Sequence, residues 1–251
     1  MTYLSEVQLM FPLAFQSNPP WDETAEMILL ALARAEENAV PLTRDDLARE
    51  LNASLAPHLQ SLISQALVSV DAGTLALTPA GRARARVLLR RHRVVERHLT
   101  DVLGLDWSRA HEQADRLEHT VSAEEEATLA AQLGDPATCP HGNPIPDAPA
   151  DSARARETPL TACAAATRVI IARISRETPE ALRHLATLGL LPEVQVEVEN
   201  IAPFGGPVMV RLGRAHYALG RDLAARIWIK EDQNPKSQLT FNSVGNLGLG
   251  F

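Results

Sequence analysis

Val68-Ser-Val-Asp-Ala-Gly-Thr-Leu-Ala-Leu77-Thr78-Pro79 decides how the first third of the chain folds. Two short β-prone runs flank Asp71-Ala-Gly73, which reads as a hairpin turn. Thr78 followed by Pro79 is a helix N-cap with proline at the first helical position, so a long helix starts where the hairpin ends and runs to about Leu103. Upstream, Leu55–Leu67 carries Leu59, Leu62, Ile63 and Leu67 on one helical face, and Asn52-Ala-Ser54 precedes it as a turn. Thr43-Arg-Asp-Asp46 resembles a capping box for a helix through Leu51, and Asp22–Ala35 is a strong helix with acids at its start. Helix, helix, turn, helix, hairpin, helix is the order of a winged helix-turn-helix, here residues 21–85. In that fold the third helix enters the DNA major groove. It carries no Lys or Arg, so base contacts would fall to Ser54, His58, Gln60, Ser61 and Ser64 through neutral hydrogen bonds.

Arg82, Arg84, Arg86, Arg90, Arg91 and Arg93 follow without an intervening acid. They predict a locally basic face, with Arg82 nearest the wing, that neutralises phosphates although the chain's net charge is −7. A solvated basic helix accounts for them equally well.

Beyond this helix comes His111-Glu-Gln-Ala-Asp115-Arg-Leu-Glu118-His119, on a helix that Asp106 can cap. At about 100° per residue, His111, Asp115, Glu118 and His119 share about 100° of arc. Two imidazoles and two carboxylates on one stripe are costly to bury unpaired and well suited to a divalent cation. His92 and Glu96 form a second pair at i and i+4, and five of the eight histidines (His92, His98, His111, His119, His141) fall in this region. A solvated charged face remains geometrically possible, with Leu103, Leu105, Ala110, Ala114 and Leu117 on the apolar side.

The remaining chain changes character. Ser122 with Glu125 caps a helix to about Leu133, and a Pro/Ala-rich linker covers 147–166. Residues 167–230 alternate as short strands around one short helix that starts at Thr178-Pro179 and stops at Gly189. This predicts a five-stranded SH3-like barrel. Residues 1–20 read as a leader and 231–251 as an aperiodic tail. The fold class is therefore mainly α with a small β domain.

Of the 251 residues 45% are hydrophobic and only 4% aromatic, so Leu, Val and Ala must build the cores. No apolar run approaches the roughly 18 residues of a membrane span, and the first twenty residues lack a signal peptide's basic start. Cys139 and Cys163 are too few for a disulfide framework. A cytoplasmic protein with no membrane partner is expected. The absence of HExxH, a nucleophile elbow or a phosphate loop argues against an enzyme.

Arg91-His92-Arg-Val-Val-Glu96-Arg-His-Leu-Thr-Asp-Val-Leu-Gly-Leu, His111…Asp115-Arg-Leu-Glu118-His119-Thr-Val-Ser122 and Cys139-Pro-His-Gly-Asn-Pro-Ile-Pro146 together resemble the dimerisation and metal-binding domain of the diphtheria toxin repressor family, which includes iron- and manganese-dependent regulators. The resemblance covers 22 to about 230, with 86–146 as the helical dimerisation and metal-binding domain and the barrel as FeoA-like. It implies a homodimer in which a metal sets the winged helices at the spacing of an inverted-repeat operator in double-stranded DNA. By position it implies a primary site of Met27, Asp115, Glu118 and His119, and an ancillary site of His92, Glu96 and His111 completed by Glu177 and Glu180, hence two metals per subunit. Cys139 and His141 read as structural, with Asn143 holding their loop.

Asp115 replaces the Cys of iron-type and the Glu of manganese-type members; as a hard oxygen donor it favours Mn(II). Met27 stands where manganese-type members have Asp and pulls toward Fe(II). Mn(II) is the expected ion and Fe(II) the alternative. The reading helix is about one turn shorter than the family's, so operator contacts do not transfer. Two other readings make different predictions. A His/carboxylate di-metal enzyme would keep an open metal position beside a general base. A metal-storage or adaptor protein would show no affinity for DNA.

Overall fold

The structure is a computed structural model that describes residues 22–51, 55–148 and 157–232. The leader, Ser54, part of the linker and the tail beyond 232 lie outside the described residues. Two compact units emerge: one holds the described residues up to 148 together with Arg176–Leu182, the other holds 157–175 and 183–232.

In the first unit, α1 (Glu23–Glu37) starts under Asp22, whose carboxylate accepts from the Thr24 amide at 2.9 Å. Thr43 and Asp46 cap α2 (Arg44–Leu51) reciprocally: the Asp46 carboxylate accepts from the Thr43 amide at 3.0 Å, and Thr43 Oγ1 accepts from the Asp46 amide at 3.2 Å. The reading helix α3 spans Ala56–Ser64, shorter at both ends than the apolar pattern predicts. The hairpin of β2 (Val68–Asp71) and β3 (Thr74–Leu77) turns on Ala72 and Gly73, both at positive φ (47° and 84°), as a two-residue type I′ turn requires. Leu42–Thr43 adds an unexpected strand, β1, antiparallel to β3 with Leu42 opposite Leu75. Two residues carry no alternation to read, and their partner lies far along the chain.

Thr78 caps α4 (Pro79–Asp101) by accepting from the Gly81 amide at 3.0 Å. Its own amide donates to the Leu67 carbonyl at 3.0 Å, joining the foot of the wing to the start of the helix. A Cβ on Gly81 would sit 1.9 Å from that carbonyl oxygen, so only glycine permits the approach.

The 23 residues of α4, about 34 Å of helix, run through two apolar cores. Ala85, Leu88 and Leu89 pack with Ile28, Leu29 and Leu32 of α1, Leu47 of α2, Leu59 and Leu62 of α3, and Leu75 and Leu77 of β3. Val94, Val95 and Leu99 belong to the other core, with Ala110, Ala114 and Leu117 of α5 (Trp107–Leu117), Leu129 and Ala130 of α6 (Ala123–Gln132), and Ile145. The expected box of Ser122 and Glu125 caps α6.

Acids meet the arginine run, although Arg82 and Arg86 stay exposed. Arg82 makes a two-armed contact to Glu36 at 2.7 and 3.1 Å, and Arg84 reaches Glu26 at 2.6 Å. Arg86 pairs with Asp147, Arg90 with Glu126 and Arg93 with Glu37, while Arg91 donates to the Glu118 carbonyl. The partners come from α1, the C-cap of α5, α6 and the loop beyond it, so these side chains brace α4 against its neighbours.

The second unit is a six-stranded antiparallel sheet, one strand more than the alternation predicts. In order its strands are β4 (Thr158–Pro159), β9 (Ile227–Glu231), β5 (Thr167–Ile174), β6 (Gln195–Ile201), β7 (Val208–Leu212) and β8 (Ala215–Leu219). The extra strand comes from the stretch read as linker: Thr158 pairs with Ile229 and Pro159 with Trp228. Beside it Arg173, 2% exposed, donates to Glu157 at 2.8 Å and lies 4.0 Å from the Trp228 ring centroid. The helix α7 (Pro179–Leu188) starts behind Thr178 as expected, and a short α8 (Arg221–Ala224) precedes β9.

Candidate metal centre

The middle of α4, the inner face of α5, the first turns of α1 and the loop 139–143 converge on one buried polar cluster. His92, Glu96, His111, Glu118, His119 and His141 are each no more than 6% exposed, and Glu26 is 1% exposed. So much ionisable matter in an apolar interior stands only if every group is paired or holds a cation.

The first half of the cluster lies where α5 meets α1. Glu118, at the C-cap of α5, accepts from His92 Nδ1 at 2.5 Å. Asp115 Oδ1 is 3.4 Å from the same nitrogen. His119 turns Nδ1 to Glu26, 2.7 Å away, and Nε2 to Glu118 Oε1, 3.4 Å away. The Glu26 carboxylate is held below its usual pKa: burial raises it, but His119 and Arg84 outweigh burial. An ionised carboxylate only accepts, so His119 carries its proton on Nδ1 and presents Nε2 to the cluster. His119 Nε2 and Glu118 Oε1 are buried and have no hydrogen-bond partner.

The second half lies around Glu96. Its Oε1 faces His111 Nδ1 at 2.8 Å, His141 Nδ1 at 3.1 Å and His92 Nε2 at 3.3 Å. Its Oε2 and His92 Nε2 are again buried without a hydrogen bond. Glu177, carried into the first unit by Arg176–Leu182, comes within 3.3 Å of His141 Nδ1 and accepts from Asn143 Nδ2 at 2.6 Å. Cys139 Sγ is 3.9 Å from His141 Nδ1 and 4.0 Å from Glu177 Oε1.

The loop is rigid by construction. The Cys139 amide donates to Asn143 O at 2.8 Å, the Gly142 amide donates to Cys139 O at 3.0 Å, and Gly142 takes φ 82°. His141 Nε2 donates to the Trp107 carbonyl at 3.2 Å, which leaves Nδ1 facing the acids.

Two sets of donors have atoms that lie within 4.8 Å of one another: His92, His111 and Asp115; and Glu96, Cys139, His141 and Glu177. The second includes both residues read from the sequence as structural. Their signal was a Cys and a His one residue apart in a tight Gly-Asn-Pro turn. Of the other expected ligands, Glu118, His119 and Glu180 belong to neither set, and Glu180 is exposed in the first turn of α7. Met27 packs, partly buried, against the core of the winged-helix part. The α1 side chain that reaches His119 is its neighbour Glu26, an acid the sequence reading assigned to the helix dipole.

The electrostatics describe a closed network. Burial and Arg34 oppose protonation of His92, but Glu118 and Glu96 prevail and push it up to about 10. His141 is raised well above its ordinary value, the pull of Glu96 outweighing burial. Glu96 is held far down by His141 and His92 against burial, and Asp115 is held down by His92 and Arg34. Burial, reinforced by Glu96, pushes the Cys139 thiol up to about 11. Protonated imidazoles and the guanidiniums of Arg34 and Arg84 balance the carboxylates. Imidazoles, carboxylates and a thiol gathered in one buried cluster are the chemistry of a first-row divalent ion.

On the proposed reading face, Gln60, Ser61 and Ser64 are exposed on α3, with Ser61 and Ser64 also hydrogen-bonded within it. His58 is tied to Asp22 and Arg82 to Glu36.

A winged helix whose spine runs directly into a buried His/carboxylate cluster defines a class: metal-dependent transcriptional regulators. The comparisons with known proteins agree. Residues 78–147 match the model of the iron dependent repressor, metal binding and dimerisation domain, and 158–231 match the FeoA domain. The chain is 31% identical over 227 residues to the iron-dependent repressor IdeR of Mycobacterium tuberculosis, an alignment covering 83% of this chain and 97% of that one. It is 38% identical over 129 residues to the diphtheria toxin repressor of Corynebacterium jeikeium, covering 49% and 53%. Among solved structures, a manganese-dependent transcriptional repressor in complex with manganese superposes with TM-score 0.74 at 30% identity, covering 83% of this chain and all of that one. IdeR of T. acidophilum superposes with TM-score 0.73 at 28% identity, covering 82% and 97%. The chain belongs to the iron- and manganese-dependent repressor family of IdeR and the diphtheria toxin repressor. These relatives are named as regulators rather than enzymes. No helix among the described residues is long and apolar enough to cross a membrane.

Proposed function

We propose that this protein is a homodimeric repressor that binds an inverted-repeat DNA operator when a divalent ion fills the buried cluster. The observation that carries the reading is the set of unmatched buried donors, His92 Nε2, Glu96 Oε2, Glu118 Oε1 and His119 Nε2, at the junction of α1 with α4 and α5. Asp115, Glu118 and His119, with Met27 from α1, are the proposed primary ligands. Glu96, Glu177, Cys139 and His141, flanked by His92 and His111, are the proposed second set; Cys139 and His141 stand in for Glu180. A bound ion supplies charge that the carboxylates otherwise draw from protons and Arg34.

The residues do the rest. Glu26 holds the His119 ring so that Nε2 faces Glu118. Arg91 fixes the Glu118 backbone through its carbonyl. α1 enters the same site and packs in the core of the winged helix, so ordering the site orders the reading head. Oxygen-rich donors at the first set suit Mn(II), and the Cys139 thiol at the second makes room for Fe(II).

A gel shift tests this with a duplex selected from random double-stranded DNA in the presence of Mn(II). Wild type is expected to shift the duplex only with Mn(II) or Fe(II), and Glu118→Ala and His119→Ala to lose the metal response. Equal binding in chelator overturns the switch.

A further inference from the structure

Arg34 stands among the proposed ligands without being one of them. It lies on α1 seven residues after Met27, a spacing that puts both on one helical line. Its side chain is 18% exposed, and Nη2 makes a single contact of 3.5 Å with Asp115 Oδ1. Its Nε is buried without a hydrogen-bond partner. The carboxylates that act on its charge are Asp115, Glu177, Glu118 and Glu96, all of them proposed ligands. Other arginines near this junction close on acids at 2.6 to 2.7 Å, as Arg84 does on Glu26 and Arg90 on Glu126. A lone 3.5 Å contact is a loose attachment for a guanidinium surrounded by acids.

We propose that Arg34 is the resident cation of the metal-free site: it neutralises the ligand carboxylates until a divalent ion displaces it, and thereby sets how much ion the repressor needs. A guanidinium and a divalent ion compete for the same negative potential at a separation where Coulomb forces are strong. An ion held by Asp115 would have to displace Arg34 from it, which would raise the concentration at which it binds. Because Arg34 belongs to α1, its release is felt by the helix that carries the winged-helix core.

This inference rests on the metal-binding reading, and the test separates the two. Mn(II) binding to the full-length chain is measured by titration calorimetry for wild type, Arg34→Met and Arg34→Lys, together with thermal unfolding in chelator. Arg34→Met keeps the aliphatic length and drops the charge; it is expected to bind Mn(II) at least about tenfold tighter and to melt lower without metal. Arg34→Lys keeps the charge and is expected to stay within about threefold of wild type. Should Arg34→Met unfold in chelator, refolding by Mn(II) below the wild-type Kd supports the proposal and absence of refolding contradicts it. Equal or weaker Mn(II) binding by Arg34→Met, or equal tightening by Arg34→Lys, overturns it. A wild type that binds no Mn(II) sinks the metal-site reading itself.

Discussion

Glu26 shows how much one side chain decides. In the sequence it is an acid in the first turn of a helix, where the macrodipole welcomes it. In the structure it is 1% exposed and joins two distant elements, taking Arg84 of α4 on one oxygen and His119 on the other. A carboxylate on the far nitrogen of a metal-binding imidazole orients the ring and raises its basicity. Glu26→Gln keeps the shape and removes the charge. Mn(II) affinity by calorimetry should fall about tenfold with an unchanged circular dichroism spectrum; affinity within twofold of wild type would show that Glu26 is a strut only. Of the stripe His111, Asp115, Glu118, His119, the first two share α5 and one donor set with His92, whereas α5 ends at Leu117, leaving Glu118 as its C-cap and His119 beyond it. Of the partners Glu26, Arg34, Cys139, His141 and Glu177, only Glu177 was expected, through the resemblance; the other four arrive by tertiary contacts that no period encodes.

Among the elements, α4 is the one on which both halves of the first unit depend. Its start was readable from Thr78 and Pro79, and the caps of α2 and α6 from Thr43/Asp46 and Ser122/Glu125, because each is closed within three residues. The strand β1 was not readable, nor was β4, since each is two residues long and exists only through its partner. The acids that meet the arginines of α4 were unreadable for the same reason, since Glu36, Glu26, Glu126 and Glu37 reach them from other elements. Gly81 is the tightest point of the element, its missing Cβ making room for the Leu67 carbonyl. Gly81→Ala gains intrinsic helix propensity, yet it must part the wing from α4. It is expected to destabilise the protein by at least about 2 kcal/mol, read as a lower Tm by calorimetry; an unchanged or higher Tm would mean the junction yields freely.

For the molecule as a whole, the buried network makes proton and metal binding antagonists. His92, raised to about 10, and His119 and His141, also raised, have folded pKa values above the ordinary 6.5. Their protonated forms therefore contribute stability fully below pH 6.5, and this is lost as pH rises through the folded values. Glu26, Glu96, Asp115 and Glu177 are lowered from 4.5 or 3.8, so their contribution is present above those values and is lost as pH falls. On these groups the metal-free protein is most stable between about pH 4.5 and 6.5. Metal ligation needs neutral imidazoles, so the rise in Tm produced by saturating Mn(II) should grow steadily from pH 6 to 9. A rise that is flat or shrinks over that interval would separate these histidines from the metal.

A divalent ion is expected where α1, α4 and α5 meet. Anomalous diffraction at the manganese edge, on crystals of the full-length protein grown with Mn(II), tests it most directly. A peak within coordination distance of Asp115, Glu118 and His119 is the expected result. Crystals with manganese bound elsewhere and no peak among those three side chains would contradict it.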